Sequence, residues 1–186
     1  MRAIYRAVPF AMVLAILPGC GDPREPVPQV ATPLTTAPAT GFSVTDTAWL
    51  QLTIAMDERA LKVLDLMPKR TADPALKDLA RRLATAHRDE LARLQALYAR
   101  SGGPTTNPHE GHDMPGMATG QTVAALERAT AEDADYIFTT AMRAHIEQSI
   151  RLAQAEQQSG TAPAAKTLAA DIERSRTDQR GQLDAV

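Results

Sequence analysis

Residues 46–67 read DTAWLQLTIAMDERALKVLDLM, and residues 135–156 read DYIFTTAMRAHIEQSIRLAQAE. Asp46-x-x-Trp49 opens the first stretch and Asp135-x-x-Phe138 the second, 89 positions later. The same offset pairs Met56 with His145, Ala60 with Ser149 and Leu61 with Ile150. Further on it pairs Leu79 with Leu168, Ala80 with Ala169 and Leu83 with Ile172. A register that survives ungapped across two helices and their connection reads as a duplicated helical hairpin. Two hairpins, each with an apolar face, bury those faces best against each other, so the fold class is all-α, a four-helix bundle.

The helices follow from apolar spacing of three and four residues. The first is expected from about Thr45-Asp46 to Met67, on a stripe of Trp49, Leu52, Met56, Ala60, Val63 and Met67; Pro68 stops it. The second opens at Asp73-Pro74, an N-cap followed by proline at the first helical position. Its stripe is Leu76, Leu79, Ala80, Leu83, His87, Leu91 and Leu94, ending at Ser101-Gly102-Gly103. The third is expected from about Glu132 to Gln158, with Ile137, Ala141, His145, Ser149 and Leu152 in line. The fourth starts near Pro163 and carries Leu168, Ala169, Ile172 and Leu183. Short turns at 68–73 and 160–163 make each hairpin antiparallel. A long segment, 101–130, crosses between hairpins, with a short helix expected over 122–128.

Composition agrees. Hydrophobic residues are 44% and aromatics only 4% of 186 residues, which suits Leu/Ala/Met helix packing better than a β-sandwich. With 20 basic and 22 acidic residues and a net charge of -2, nothing points to nucleic acid. No phosphate-cradling glycine loop is present.

The first 41 residues have a different character. Arg2 and Arg6 precede an apolar run over 7–17, and Leu17-Pro18-Gly19-Cys20 closes it. The run is too short to span a bilayer, and its flanks are those of a signal peptide. Leu17-x-Gly19-Cys20 resembles the lipobox of bacterial lipoproteins, which implies cleavage before Cys20 and lipidation of its thiol. Cys20 is the only cysteine, so no disulfide can form within the chain. Residues 21–41 hold five prolines among Thr and Ala, and read as a disordered, extended tether. The expected organisation is therefore a signal peptide (1–19), a lipidated cysteine and tether (20–41), and a bundle domain (42–186). The expected location is the extracytoplasmic side of a cell membrane, with the lipid as the membrane contact.

Two places could hold a metal. The crossover carries His109-Glu110-Gly111-His112-Asp113-Met114-Pro115-Gly116-Met117, a dense run of imidazoles, carboxylates and thioethers. Imidazole with thioether suits copper, and thioether favours the cuprous ion. In the bundle, Met142 and His145 share a helix face. The repeat sets His145 opposite Met56, beside Asp57, while His87 lies on the buried stripe of the second helix with Glu90 one turn on. These histidines read either as metal ligands or as core histidines held by a carboxylate or carbonyl. A di-iron carboxylate site would need two Glu-x-x-His motifs, which the helices lack. Nucleophilic catalysis has no residues to carry it, so no enzyme is expected. Lys77-Asp78, Arg81-Arg82 and Arg88-Asp89-Glu90 read as a solvated face.

Phe42-x-x-x-Asp46-x-x-Trp49-Leu50, Asp135-x-x-Phe138-x-x-x-Met142-x-x-His145 and His112-x-Met114-Pro115-Gly116-Met117-x-Thr119 resemble the bacterial domain-of-unknown-function family 305. The resemblance covers residue 42 to the C-terminus. It implies a ferritin-like, duplicated four-helix bundle in an exported protein, with copper binding and copper tolerance in some members. The family's ligand motif is Met-x-x-His-His in each hairpin, followed by Gln-x-x-Glu on the partner helix. Here the first pair of histidines falls on Met56 and Asp57, and the second on His145 and Ile146. Gln-x-x-Glu becomes His87-x-x-Glu90 and Arg176-x-x-Gln179. Arg176 is expected to oppose a metal at the second hairpin by Coulomb repulsion.

Two functions follow as expectations. One is an exported lipoprotein that binds or buffers copper at the cell envelope through Met and His ligands. The other is a non-catalytic interaction or structural lipoprotein that has lost the family's metal ligands.

Overall fold

The computed structural model describes residues 41–186 apart from Asn107 and Glu110. The expected signal peptide, Cys20 and all but the last residue of the expected tether lie outside the described residues. Among the described residues five α-helices form: α1 (Val44–Leu66), α2 (Pro74–Ser101), α3 (Gly120–Arg128), α4 (Glu132–Ser159) and α5 (Pro163–Asp184); a 3-10 turn, Met67–Lys69, links α1 to α2. No strand forms among the described residues, and none of their helices is long and apolar enough to cross a membrane.

The caps are largely those the sequence signals. Asp73 accepts from the Ala75 N–H at 2.7 Å, with Pro74 next, and starts α2. Gly102 ends it at φ +67, a backbone that only glycine adopts without strain. Ser43 caps α1 in a reciprocal capping box with Asp46. The short crossover helix starts two residues earlier than expected, because Thr119 caps it through the Thr122 N–H.

α1 pairs with α2 and α4 with α5; α1 also packs on α4, and α2 on α5. The ends fix the directions. Gln51, early in α1, donates to the Tyr98 hydroxyl at the end of α2. The Ala131 N–H, just before α4, donates to the Arg70 carbonyl just after α1. Asp46, at the start of α1, accepts from Thr161 and Ala162, between α4 and α5. Each neighbouring pair is thus antiparallel, and the crossover must run the length of the bundle. It travels along α1 and α4, where α3 also packs. That path leaves α1 enclosed on most sides: Leu50, Thr53, Ile54, Ala55 and Leu64 are buried beyond its expected stripe.

On α4 the buried line is Ala134, Phe138, Met142, His145, Ile146, Ser149 and Ala153. Ile137 is only partly buried. The expected stripe was therefore rotated by about one residue at its first turns, where Ile137/Ala141 and Phe138/Met142 are equally apolar. The larger Phe138 takes the interior.

Asp46 does two jobs. Its Oδ2 accepts from the Ser43 N–H and hydroxyl at 2.5 Å each, and from the Thr161 hydroxyl at 2.9 Å. Its Oδ1 accepts from the Thr161 and Ala162 N–H groups at 2.9 and 3.0 Å. It caps α1 and ties down the turn before α5. Burial works to raise its pKa, but the hydrogen bonds from Ser43 and Ala162 outweigh this and hold the carboxyl well below its usual range. Beside it, Glu156 is 1% exposed and folds back over Gly160, where a Cβ would lie 2.3 Å from its carboxyl oxygen. Burial, then the hydrogen-bonding and charge of Asp46, push Glu156 up to about 8. Between pH 4.5 and 8 the unfolded chain releases this proton and the folded one keeps it. The contribution is intact below pH 4.5 and lost as pH rises through 8, so stability falls over that window. Glu156→Gln should raise the denaturation midpoint at pH 8 by about 1 kcal/mol in stability and leave it nearly unchanged at pH 4.5, measured by urea titration at both pH values.

Candidate metal centre

Midway along the bundle five charged or titratable side chains meet in a dry core. Asp57 (α1), His87 and Glu90 (α2), His145 (α4) and Arg176 (α5) are each 6% exposed or less, with Gln179 beside them. They meet because of the duplication. Residues at equivalent places in the two repeats face each other across the bundle axis, and His87 and Arg176, 89 apart, lie 3.3 Å from each other. Glu90 and Gln179, another equivalent pair, are both bonded by the Arg176 Nη1, at 3.1 and 3.4 Å.

Arg176 organises the charges. Its Nη2 donates to Asp57 Oδ1 at 2.8 Å and Glu90 Oε1 at 2.6 Å, and its Nη1 reaches the other Glu90 oxygen. The planar guanidinium suits this two-pronged grip on a carboxylate. The expected repulsive charge at the second hairpin is thus spent on carboxylates of the first. Glu90 is also not part of the solvated face; Arg88 and Asp89 are exposed, and Glu90 turns inward to meet Arg176.

The histidines differ in their surroundings. His87 Nδ1 is 3.1 Å from Asp57 Oδ1. The same nitrogen faces the Arg176 Nη2 donor at 3.3 Å, Gln179 supplies a side-chain hydrogen bond to the ring, and Asp57 is the carboxylate beside it. This is the carboxylate–histidine arrangement that orients metal-binding imidazoles. His145 lies with its ring centroid 5.1 Å from that of His87 and its Nε2 3.6 Å from Asp57 Oδ1, beyond a hydrogen bond. His145 is buried with the Gly116 backbone as a hydrogen-bond partner, and Asp57 shares a side-chain hydrogen bond with Glu90. Burial, aided by the Arg176 charge, lowers the His87 pKa to about 3. Burial, then the charges of His87 and Arg176, drive His145 well below its ordinary value. Both rings are neutral near pH 7, the form that binds metals. Burial raises Asp57 and takes Glu90 up to about 7, against the opposing pull of Arg176.

One ligand atom from each of Asp57, His87 and His145 can be chosen with all three within 4.8 Å of one another. One thioether, that of Met56, is next to Asp57 on α1. Met56 is 1% exposed and clusters with Met117 of the crossover, with Met114 packed against them. Met142 is buried too, but in the apolar cluster of Phe138 and Ile146. The crossover histidines take other places. His112 is exposed, and its N–H closes a turn on the His109 carbonyl. His109 lines a cavity of about 920 Å³ beside α1 and α3. Arg59 holds the loop through Asp113 at 2.6 Å.

Gly116 seats Met117. Its φ is +79, and a Cβ there would fall 2.3 Å from Gln148 Cβ and 2.9 Å from the Ala144 carbonyl. The loop backbone lies directly on α4, one turn around from His145. Gly116→Ala should cost about 1–3 kcal/mol, from left-handed strain and from the displaced contact, measured as a lowered denaturation midpoint.

Residues 46–186 match the family model described as domain of unknown function DUF305. The chain belongs to DUF305. Solved structures of the same fold include a DUF305 fragment from Deinococcus radiodurans, with a TM-score of 0.69 and 19% identity, covering 77% of this chain and 95% of that one. A secreted DUF305 protein from Streptomyces coelicolor gives 0.67 at 18% identity, covering 75% and 89%. CopM in its Cu(I)-bound form gives 0.63 at 19% identity, covering 77% and 95%. These likenesses establish the ferritin-like helical fold. No curated protein matches. Asp57, which stands where the resemblance sets a histidine, and Arg176, which stands where it sets a glutamine, form one cluster with His145. Sequence reading placed His87, Glu90, His145, Met56 and Asp57 as candidates. It did not find Arg176 as a partner of two of them, although the 89-residue offset from His87 is the signal that points there.

Proposed function

We propose that this protein is a copper-binding lipoprotein of the cell envelope, held to the membrane through Cys20, that buffers the ion and catalyses no reaction. His145 carries this reading, because its ring is buried and neutral beside Asp57 and His87, with one ligand atom of each within 4.8 Å of the others. Neutral imidazole with the Met56 and Met117 thioethers makes a donor set suited to copper, and the cuprous ion in particular. Copper bound there would be held by His145, His87 and these thioethers, with Asp57 orienting His87. The fold shared with CopM, which has been solved with Cu(I) and with Cu(II), supports the same reading. The lipobox-like Leu17-x-Gly19-Cys20 supports the anchor.

The full-length chain in detergent should compete with a chromophoric cuprous chelator. His145→Ala and Met117→Ala should each weaken binding at least about tenfold. Wild-type protein that never takes cuprous ion from the chelator would end the copper reading. A specific observation favours a second reading: Asp57 and Glu90 already have a cation in Arg176. On that view the cluster is structural and the bundle serves as an interaction module. Full stability without metal and no cuprous affinity would decide for it.

A further inference from the structure

The crossover carries a turn with a thioether at each end. The Met117 N–H donates to the Met114 carbonyl at 3.0 Å, and between them lie Pro115 and left-handed Gly116, at φ +79. Proline then glycine is the pair that a type II turn asks for, and such a turn holds its end Cα atoms within about 7 Å. Both ends meet α1. Met117 is buried in one cluster with Met56 and Ala55, and Met114 packs against that cluster with Leu52 and Leu152. Three thioethers thus share one apolar nook. The turn is held on both sides: Arg59 binds Asp113 at 2.6 Å, and the Gly116 backbone shares a hydrogen bond with His145.

Exposure falls inward along the three. Met114 is partly exposed, Met117 is 7% exposed and Met56 1%. Met67 and Met142 are buried in the larger apolar core, so Met114 is the one methionine among the described residues that is not buried. At the inner end, Met56 precedes Asp57 and Met117 follows Gly116, and both Asp57 and Gly116 border His145. His145 is 1% exposed and His87 fully buried, so an ion bound there must first cross other side chains.

We propose that Met114, Met117 and Met56 form the port through which a soft monovalent metal ion leaves water and reaches His145. This rests on the copper reading above and adds Met114, which takes no part in holding the ion at its final place. Stripping an ion of all its water at once is costly. Met114, at the rim, replaces one water while others stay. Met117, at the far end of the same turn, and Met56 beneath it replace the rest. Thioethers suit Cu(I) and Ag(I) and bind hard, strongly hydrated ions poorly. Leu52, Ala55 and Leu152 offer such ions no side-chain oxygen. With the turn fixed on both sides, the ion passes from donor to donor without the crossover leaving α4.

The test uses the full-length chain in detergent with Cu(I) and Ag(I) in turn, each presented on a chromophoric chelator. Uptake and release are followed by stopped flow, and affinity by competition at equilibrium. Met114→Leu keeps the volume and the apolar contacts and removes the donor atom, so the urea midpoint should stay at the wild-type value. Uptake and release should both slow by about tenfold, because the port is crossed in both directions. The affinity should change by less than about threefold. Met114→His puts a donor back at the rim and should recover most of the lost rate. Met117→Leu should weaken the equilibrium affinity as well, since Met117 belongs to port and centre alike. Wild-type rates in Met114→Leu overturn the port. So does an affinity loss carried by faster release alone, which would make Met114 a resident ligand, and so does Met114→His that loads no faster than Met114→Leu. Wild type that takes up neither Cu(I) nor Ag(I) would instead overturn the copper reading itself.

Discussion

Arg176→Ala should lower the unfolding free energy by about 3–5 kcal/mol, the cost of leaving buried carboxylates without their cation. Arg176 is fully buried and bonds Asp57 and Glu90 together. With it gone, both acids lie in a core with no other Lys or Arg bonded to them among the described residues. The measurement is the urea midpoint at pH 7 against wild type. The loss should shrink when Asp57→Asn and Glu90→Gln are added, because neutral amides need no counter-ion, although their remaining polar groups still need partners. A single Arg176→Ala that is as stable as wild type would mean that the ion cluster contributes nothing to the fold. On the copper reading, a cation that replaces the guanidinium charge in Arg176→Ala should recover part of the loss.

Asp46→Ala should cost about 3 kcal/mol, well above an ordinary surface cap. A lone N-cap is worth roughly 1 kcal/mol. Asp46 accepts five hydrogen bonds, two from Ser43 and three from Thr161 and Ala162, so its loss frees the start of α1 and the turn into α5 together. Hydrogen bonds to a charged group are worth roughly 1.5–3 kcal/mol each and do not add fully at one carboxylate. The pH signature is specific. Because the folded pKa of Asp46 is depressed, its contribution is present above its unfolded value of 3.8 and lost as the pH falls through the lower folded value. Asp46→Asn should therefore differ from wild type at pH 6 and approach it on acidification below pH 3.8, in parallel urea titrations. This acid-side loss is opposite in sign to the alkaline-side loss expected from Glu156, its neighbour in space, so the two variants can be told apart.

The amino-acid sequence by itself determined the helices, their ends and their duplication. Asp73-Pro74, Gly102 and Pro163 act on backbone within a few residues of themselves, so their effect is visible in the linear order. The offset that matches Asp46 to Asp135 and Leu79 to Leu168 is likewise a property of the order, and from it the paired hairpins followed. Candidate ligands His87 and His145 could be named, since a polar residue on an apolar stripe must face the interior, and Asp57 from its place beside Met56 and in the family motif.

Tertiary structure decided what those residues meet. Arg176 reaches Glu90 across 86 positions and Asp57 across 119, and Asp46 reaches Thr161 across 115. Periodicity states which face is buried but not which side chain lies opposite. On α4 two adjacent apolar lines left even the face open, and the size of Phe138 settled it. The crossover shows the same division. Its Met-rich stretch could be read from the sequence, but only the close contact of Gly116 with α4 turned Met117 inward and left His112 in solvent. Contacts between distant segments depend on how the packed helices rotate and slide together, and that is set by volume and charge in three dimensions.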